Sequence, residues 1–179
     1  MKIRRATPDD AQALARIHID SWRSAYRGLV PDAYLDGLDY ESEARNLRHA
    51  LAAETEETYC VEEKARLLAF VTLSASRDPD ADPERTGEIR AIYVAPQDWH
   101  RGIGRALYRY AEDVLRSRGY GHATLWVFEQ NAQARRFYEA VGFTVDGAVK
   151  TLCRGDAPLK AVRYGKALAN VGAESSHAP

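Results

Sequence analysis

Val94-Ala95-Pro96-Gln97-Asp98-Trp99-His100-Arg101-Gly102-Ile103-Gly104 has the residue types and spacing with which a backbone builds an anion cradle. The stretch leaves a strand, turns through two glycines and opens an amphipathic helix. Amides at the start of a helix have no carbonyl partner within it and point outward together, and the helix dipole adds partial positive charge there. A pyrophosphate satisfies such amides. The donors are the backbone amides of His100, Arg101, Gly102, Ile103, Gly104 and Arg105, with the guanidinium of Arg101 or Arg105 as added charge. A side chain at Gly102 or Gly104 would hold phosphate oxygens away from the amides or forbid the turn. A dinucleotide fingerprint requires Gly or Ala where Leu107 stands, and a P-loop requires Gly-Lys-Ser/Thr where Gly104-Arg105-Ala106 stands. Neither pattern fits.

The elements that position this turn follow from spacing. Residues 2–6 read as a strand, after which Thr7 and Asp10 form a capping box with Pro8 at the tolerated first position of a helix. Ala11, Leu14, Ala15, Ile17, His18, Ser21, Trp22, Ala25 and Tyr26 recur at helical spacing up to Gly28, and Ala44, Leu47 and Leu51 mark a second helix. Residues 58–62 and 66–74 read as a strand hairpin, and 76–86 as an exposed loop able to close over a substrate. Strand 88–94, helix 103–117 and strand 122–128 form a unit expected to be parallel with a right-handed crossover. Asn131 caps the next helix, Gly142 ends it, and 143–149 with 159–168 are a last pair of strands joined by a loop through 154–158. This order suits a mixed sheet with helices on both faces.

Composition bounds the rest. A chain of 179 residues with 45% hydrophobic content buries one core of ordinary size, so a single domain over residues 1–169 with a disordered tail at 170–179 is expected. A formal net charge of -1 gives no field for a phosphate backbone, which argues against nucleic acid. With no apolar signal region and no membrane span, the cytoplasm is the expected location. Cys60 and Cys153 each lie in an apolar stretch and read as buried structural thiols, and no metal arrangement is visible among the five histidines.

One helix and one strand beyond the glycine turn comes Asn131-Ala132-Gln133-Ala134-Arg135-Arg136-Phe137-Tyr138-Glu139-Ala140-Val141-Gly142-Phe143. The turn and this Asn-x-x-Ala-x-x-Phe-Tyr-x-x-x-Gly-Phe string, in that order, resemble the GCN5-related N-acetyltransferase (GNAT) superfamily. The resemblance spans about nine tenths of the chain, a fold-scale estimate. It implies acetyl-CoA as cosubstrate and an α/β (α+β) fold: a mixed, mostly antiparallel central sheet with a splayed parallel strand pair. The pantetheine arm would lie in that splay, bonded by the backbone of Ile92, Tyr93 and Val94 as an added strand would be, and one of those amides would stabilise an oxyanion. Asn131 and Phe137 fall with the cofactor contacts, and Tyr138 where the family places a phenol near the cofactor's sulfur, fit to act as general acid. Packing on the sheet, for Tyr138, and a plain helix cap, for Asn131, are the ordinary alternatives. A Gln or Arg is usual where Trp99 stands, a departure that leaves phosphate binding to the backbone.

Glu88 is the expected base that takes a proton from the acceptor ammonium, with His18 and His100 in reserve. Trp22, Tyr26 and Tyr34 belong to the region that walls the acceptor pocket in this superfamily, where aromatic rings hold an aliphatic chain or a cation. The implied activity is direct acetyl transfer to a primary amine of a small molecule or peptide in a ternary complex. A coenzyme A-binding sensor that has lost turnover is the alternative. The resemblance also leaves a homodimer open.

Overall fold

In the computed structural model, residues 1–53 and 55–168 are described, so the tail expected at 170–179 lies outside them. The chain runs β1 (Lys2–Arg5), α1 (Ala11–Ala25), α2 (Asp32–Asp36), α3 (Tyr40–Ala53), β2 (Glu57–Glu63), β3 (Arg66–Ala75), β4 (Thr86–Val94), α4 (Ile103–Ser117), β5 (His122–Phe128), α5 (Ala132–Ala140), β6 (Thr144–Arg154) and β7 (Ala157–Ala167). The capping box of Thr7 and Asp10 forms, but around a single 3-10 turn, Pro8–Asp10, that leads into α1. The seven strands make one sheet in the order β1-β2-β3-β4-β5-β7-β6, and only β4 and β5 pair in parallel.

Two layers of helix cover this sheet because its strands carry two apolar faces. α4 presents Ile103, Leu107, Ala111 and Leu115 at helical spacing, and these meet Leu68, Val71, Ile89, Leu125 and Val127 of the sheet. The opposite face takes α1, through Leu14 and Ile17 on Phe70 and through Trp22 and Tyr26 on Phe128. Cys60 is buried there and its thiol is pushed up to about 11 by burial. Cys153 is exposed instead, a correction to the expected pair of buried thiols: on the two-faced hairpin of β6 and β7, alternation turns it outward.

The sheet is interrupted where it matters for the site. Pairing of β4 with β3 shifts register between Thr72↔Ala91 and Leu73↔Ile89, so Arg90 is an extra residue in β4, a β-bulge. Parallel pairing of β4 with β5 covers only Thr86, Gly87 and Glu88. Beyond the bulge the two strands part. A bulge bends its strand and increases local twist, which is the physical reason for the divergence. The loop before β4 is fastened by Arg163, whose guanidinium lies 3.2 Å from Asp78 and 2.6 Å from Asp80.

At the closed end of this divergence β4 lies tight under α4. A Cβ at Gly87 would stand 2.6 Å from Leu115 Cδ2 and 2.9 Å from Tyr120 Cδ2. Gly87→Ala is therefore expected to destabilise the protein by about 1–3 kcal/mol through overpacking, read as a lower urea midpoint with an unchanged slope.

Candidate functional site

The parted strands leave unpaired backbone, and the ladder says which groups. Ala95 N–H donates to the Leu68 carbonyl at 2.8 Å, so by antiparallel alternation Tyr93 and Ala91 also bond to β3 while Ile92 and Val94 turn toward β5. No β5 residue answers them. The Val94 carbonyl is taken by side chains instead, Ser21 Oγ at 2.9 Å and Trp99 Nε1 at 2.7 Å. What faces the gap is Ile92, with both its backbone groups, and Val94 N–H. Tyr93 differs from expectation, since its backbone belongs to the β3 ladder and its hydroxyl accepts from Trp22 Nε1 at 2.9 Å.

The gap opens into a cavity of about 810 Å³ that is continuous from the start of α4 to the hairpin of β6 and β7. At one end His100, with φ 63°, and Gly102, with φ 77°, turn the chain through the left-handed region into α4. The first hydrogen bond across that helix end is Ala106 N–H to the Gly102 carbonyl at 3.1 Å, which leaves the amides of Ile103, Gly104 and Arg105 with no partner in the helix. Arg105 lines this end and has no ion pair among the described residues. Arg101 does not serve there. Its guanidinium is held by Asp98 and, at 3.2 Å, by Glu63, and the hydrogen bond from Arg66 to Asp98 holds that carboxyl below the usual carboxylate range. Arg101, Arg66 and Asp98 thus fasten the loop before α4.

Asn131 Oδ1 accepts from Ala134 N–H at 3.0 Å, so its side-chain carbonyl is a helix cap, while the residue still lines the cavity. Phe137 lines it beside Gly104, its ring 3.6 Å from where a Gly104 Cβ would sit. Tyr138 follows on α5, 8% exposed, and its hydroxyl makes no hydrogen bond among the described residues. Burial pushes the Tyr138 phenol well above its ordinary value, and the nearby phenols of Tyr26 and Tyr93 add to the shift. Tyr138 therefore keeps its proton throughout the neutral range.

The other half of the cavity lies on the α1 face of the sheet. Glu88, only 5% exposed, lines it just before the bulge, with the Arg77 guanidinium at 3.4 Å. Trp22 lines it from α1 and Tyr26 from the residue just after that helix, their rings packed edge-on against Phe128. Tyr34 is not part of the lining: it sits behind Trp22, with ring centroids 6.3 Å apart, and packs on the Gly155 turn. His18 is also outside, bonded through Nδ1 to Glu43 at 2.7 Å and packed on Tyr93, and His100 is at the α4 end, so neither reserve base joins Glu88.

These features can be set beside known proteins. The profile of the Acetyltransferase (GNAT) family matches residues 13–143. The chain belongs to this family. The uncharacterized N-acetyltransferase YuaI of Bacillus subtilis (strain 168) is 29% identical over 143 residues, 77% of this chain and 77% of that protein. An uncharacterized N-acetyltransferase of Archaeoglobus fulgidus is 30% identical over 138 residues, 77% of this chain and 89% of that one. Among solved structures, yncA from Salmonella typhimurium with its cofactor acetyl-CoA aligns at a TM-score of 0.70 and 21% identity, covering 99% of each chain. As a family member the chain is an acetyl-CoA-dependent N-acetyltransferase. Among the described residues no helix is long and apolar enough to cross a membrane, and no group of three or more His, Cys, Asp or Glu is placed to hold a metal.

Sequence reasoning passed over Arg136, Lys150 and Arg154, all of which line the cavity. Arg136 stood inside the recognised string with no role given to it, although it lies about one helical turn after Gln133, which also lines the cavity. Lys150 and Arg154 lay beyond the expected end of their strand.

The two glycines of the turn separate folding from binding. Gly102 is held at positive φ with open space around it, so Gly102→Ala is expected to cost about 1–2 kcal/mol of stability. A methyl at Gly104 would make only ordinary contacts, at 3.5 Å to Val94 and 3.6 Å to Phe137. Gly104→Ala should therefore leave the melting temperature equal or higher, since alanine favours helix by about 1 kcal/mol, yet weaken acetyl-CoA binding more than tenfold by calorimetry.

Proposed function

We propose that the protein transfers the acetyl group of acetyl-CoA directly to a primary amine of a small molecule or peptide within a ternary complex. The observation that carries this reading is a single cavity joining unpartnered helix amides, an unpaired strand edge, a protonated phenol and a buried carboxylate. The free amides at the start of α4, with Arg105 and Arg136 beside them, suit a pyrophosphate; the groups of Ile92 and Val94 N–H suit the amides of a pantetheine arm laid down like a strand. Acetyl-CoA supplies an activated acyl group on a sulfur leaving group.

The chain's own groups divide the proton work. An acceptor ammonium with an ordinary pKa of about 10 must lose a proton before its nitrogen can form a bond to carbon. Glu88 is the carboxylate in the cavity for that task. As the carbon–sulfur bond breaks, the Tyr138 hydroxyl gives its proton to the thiolate, which its raised pKa keeps available. The wall of Trp22, Tyr26 and Phe128 excludes water around the reacting nitrogen. Tyr138 and Glu88 are nine-tenths buried, and this supports an enzyme over a coenzyme A sensor, which has no use for either group.

Thiol release with acetyl-CoA and a panel of amines tests the proposal, and coenzyme A binding with no release for any amine would favour the sensor. Tyr138→Phe is expected to lower kcat about 100-fold with little change in KM for acetyl-CoA. Because burial raises the phenol, its acid form persists above the ordinary tyrosine value, so kcat of the wild type should not fall up to about pH 10. A kcat decline between about pH 8 and pH 9.5 that Tyr138→Phe abolishes would contradict the raised phenol but keep Tyr138 as the acid, whereas a Tyr138→Phe variant with wild-type kcat would contradict the assignment.

A further inference from the structure

The acceptor half of the cavity holds more cations than its carboxylate can answer. Arg77, Arg90, Lys150 and Arg154 line it, against Glu88 alone. Arg77 and Arg90 are accounted for: the first lies 3.4 Å from Glu88, and the second is bonded to Glu56 and lies 3.9 Å from Glu88. Asp78, the other acid nearby, is spent on Arg163 and on Trp126 Nε1. Lys150 and Arg154 have no ion pair among the described residues. Both are half-buried, and both come from one face of β6, since Lys150 stands opposite Ala161 and the alternation brings Arg154 to the same side. That face also carries Trp126 and Phe128 of β5.

Each cation is instead laid on aromatic rings. Lys150 Nζ is 3.9 Å from the Trp126 ring centroid, and Arg154 Cζ is 5.3 Å from Trp22 and 5.5 Å from Phe128. The rings fix the heads in place without neutralising them, and the only hydrogen bond of Arg154 among the described residues goes to the neighbouring Cys153 carbonyl at 2.9 Å. Burial lowers the Lys150 ammonium from its ordinary value, although the charges of Asp78 and Glu88 act the other way. Two positioned cations that line the cavity with no ion pair among the described residues make a receptor for an anion.

Resting on the acetyl-transfer reading above, the geometry points to an acceptor that carries a carboxylate as well as its amine, an amino acid or a close analogue, with Arg154 and Lys150 holding the carboxylate and setting specificity. The aromatic wall takes the apolar part of such a molecule. A polyamine or another polycation would meet these two heads with like charge and is disfavoured.

Matched pairs test this: L-phenylalanine against 2-phenylethylamine and L-phenylalaninamide, 4-aminobutyrate against n-butylamine, and spermidine as the polycation, each with acetyl-CoA and a thiol-release readout. Wild-type kcat/KM should favour at least one acid over its neutral partner by more than tenfold, and spermidine should be a poor acceptor. Arg154→Gln and Lys150→Gln should act through KM for the acid and bring the acid-to-amine ratio toward one, while Arg154→Lys restores part of the preference. Neutral amines used as well as the acids, spermidine preferred, or a ratio that survives both glutamine substitutions would overturn it. If no acceptor turns over, quenching of the Trp22 and Trp126 fluorescence with coenzyme A present decides. Acids that quench where their neutral partners do not uphold the carboxylate site while sinking the transferase reading, and equal or absent quenching sinks the carboxylate site as well.

Discussion

One extra residue in one strand is the constraint on which the site depends. Arg90 is inserted into β4 opposite an unbroken β3, and from that point β4 and β5 no longer pair. A sheet normally satisfies its backbone internally, and an unpaired edge inside a protein is costly unless something answers it. Here side chains answer part of the cost: Ser21 of α1 and Trp99 of the following loop both donate to the Val94 carbonyl. The remaining groups of Ile92 and Val94 face the cavity, where the proposed pantetheine arm would meet them. The divergence also opens one cavity that is lined both by residues of α4 and α5 and by Trp22 of α1.

Charge is divided along the same line. At the α4 end of the cavity the fixed acid Asp98 is covered by Arg66 and Arg101, which keeps a carboxylate from opposing an anion bound at the helix start. The loop carrying Asp98 gains its anchorage from that arrangement, so the Arg101 guanidinium is engaged within the protein by Asp98 and Glu63. In the other half of the cavity the cations stand on strand β6, on the far side of β5 and β7, and depend on the hairpin for their position. The two proposed anion-binding regions are therefore built from different parts of the chain, the one at the start of α4 and the other on β6.

The fold was legible where periodicity was strong. Helix 103–117 and strand 122–128 have in the structure the limits that spacing gives them, because each has one sharply apolar face. The bulge was not legible, since Glu88-Ile89-Arg90-Ala91-Ile92 reads as ordinary alternation and an extra residue shows only against its partner strand. Arg101 misled because charge and proximity to the glycines say nothing of Glu63, which is distant in sequence and close in space. Lys150 and Arg154 were missed for a related reason: Val149-Lys150-Thr151-Leu152-Cys153-Arg154 has polar residues on both faces, so the strand appeared to stop before it. Such mixed faces are what a strand shows when charged residues on one side line a cavity.

At the centre of the cavity the side chains are neutral. Tyr26, Tyr93 and Tyr138 bring three phenols close together, and each is raised chiefly by burial. A cation at the position of Tyr138 would stabilise a thiolate more strongly, but it would also attract the free carboxylate of an acceptor toward the sulfur and away from the carbonyl carbon. A phenol offers a proton without that attraction. Charge stands apart from these hydroxyls, with Glu88 on one strand and Arg154 and Lys150 on another, so that in the proposed reaction it would orient an acceptor and leave the reacting atoms in an apolar surrounding that strengthens each remaining hydrogen bond.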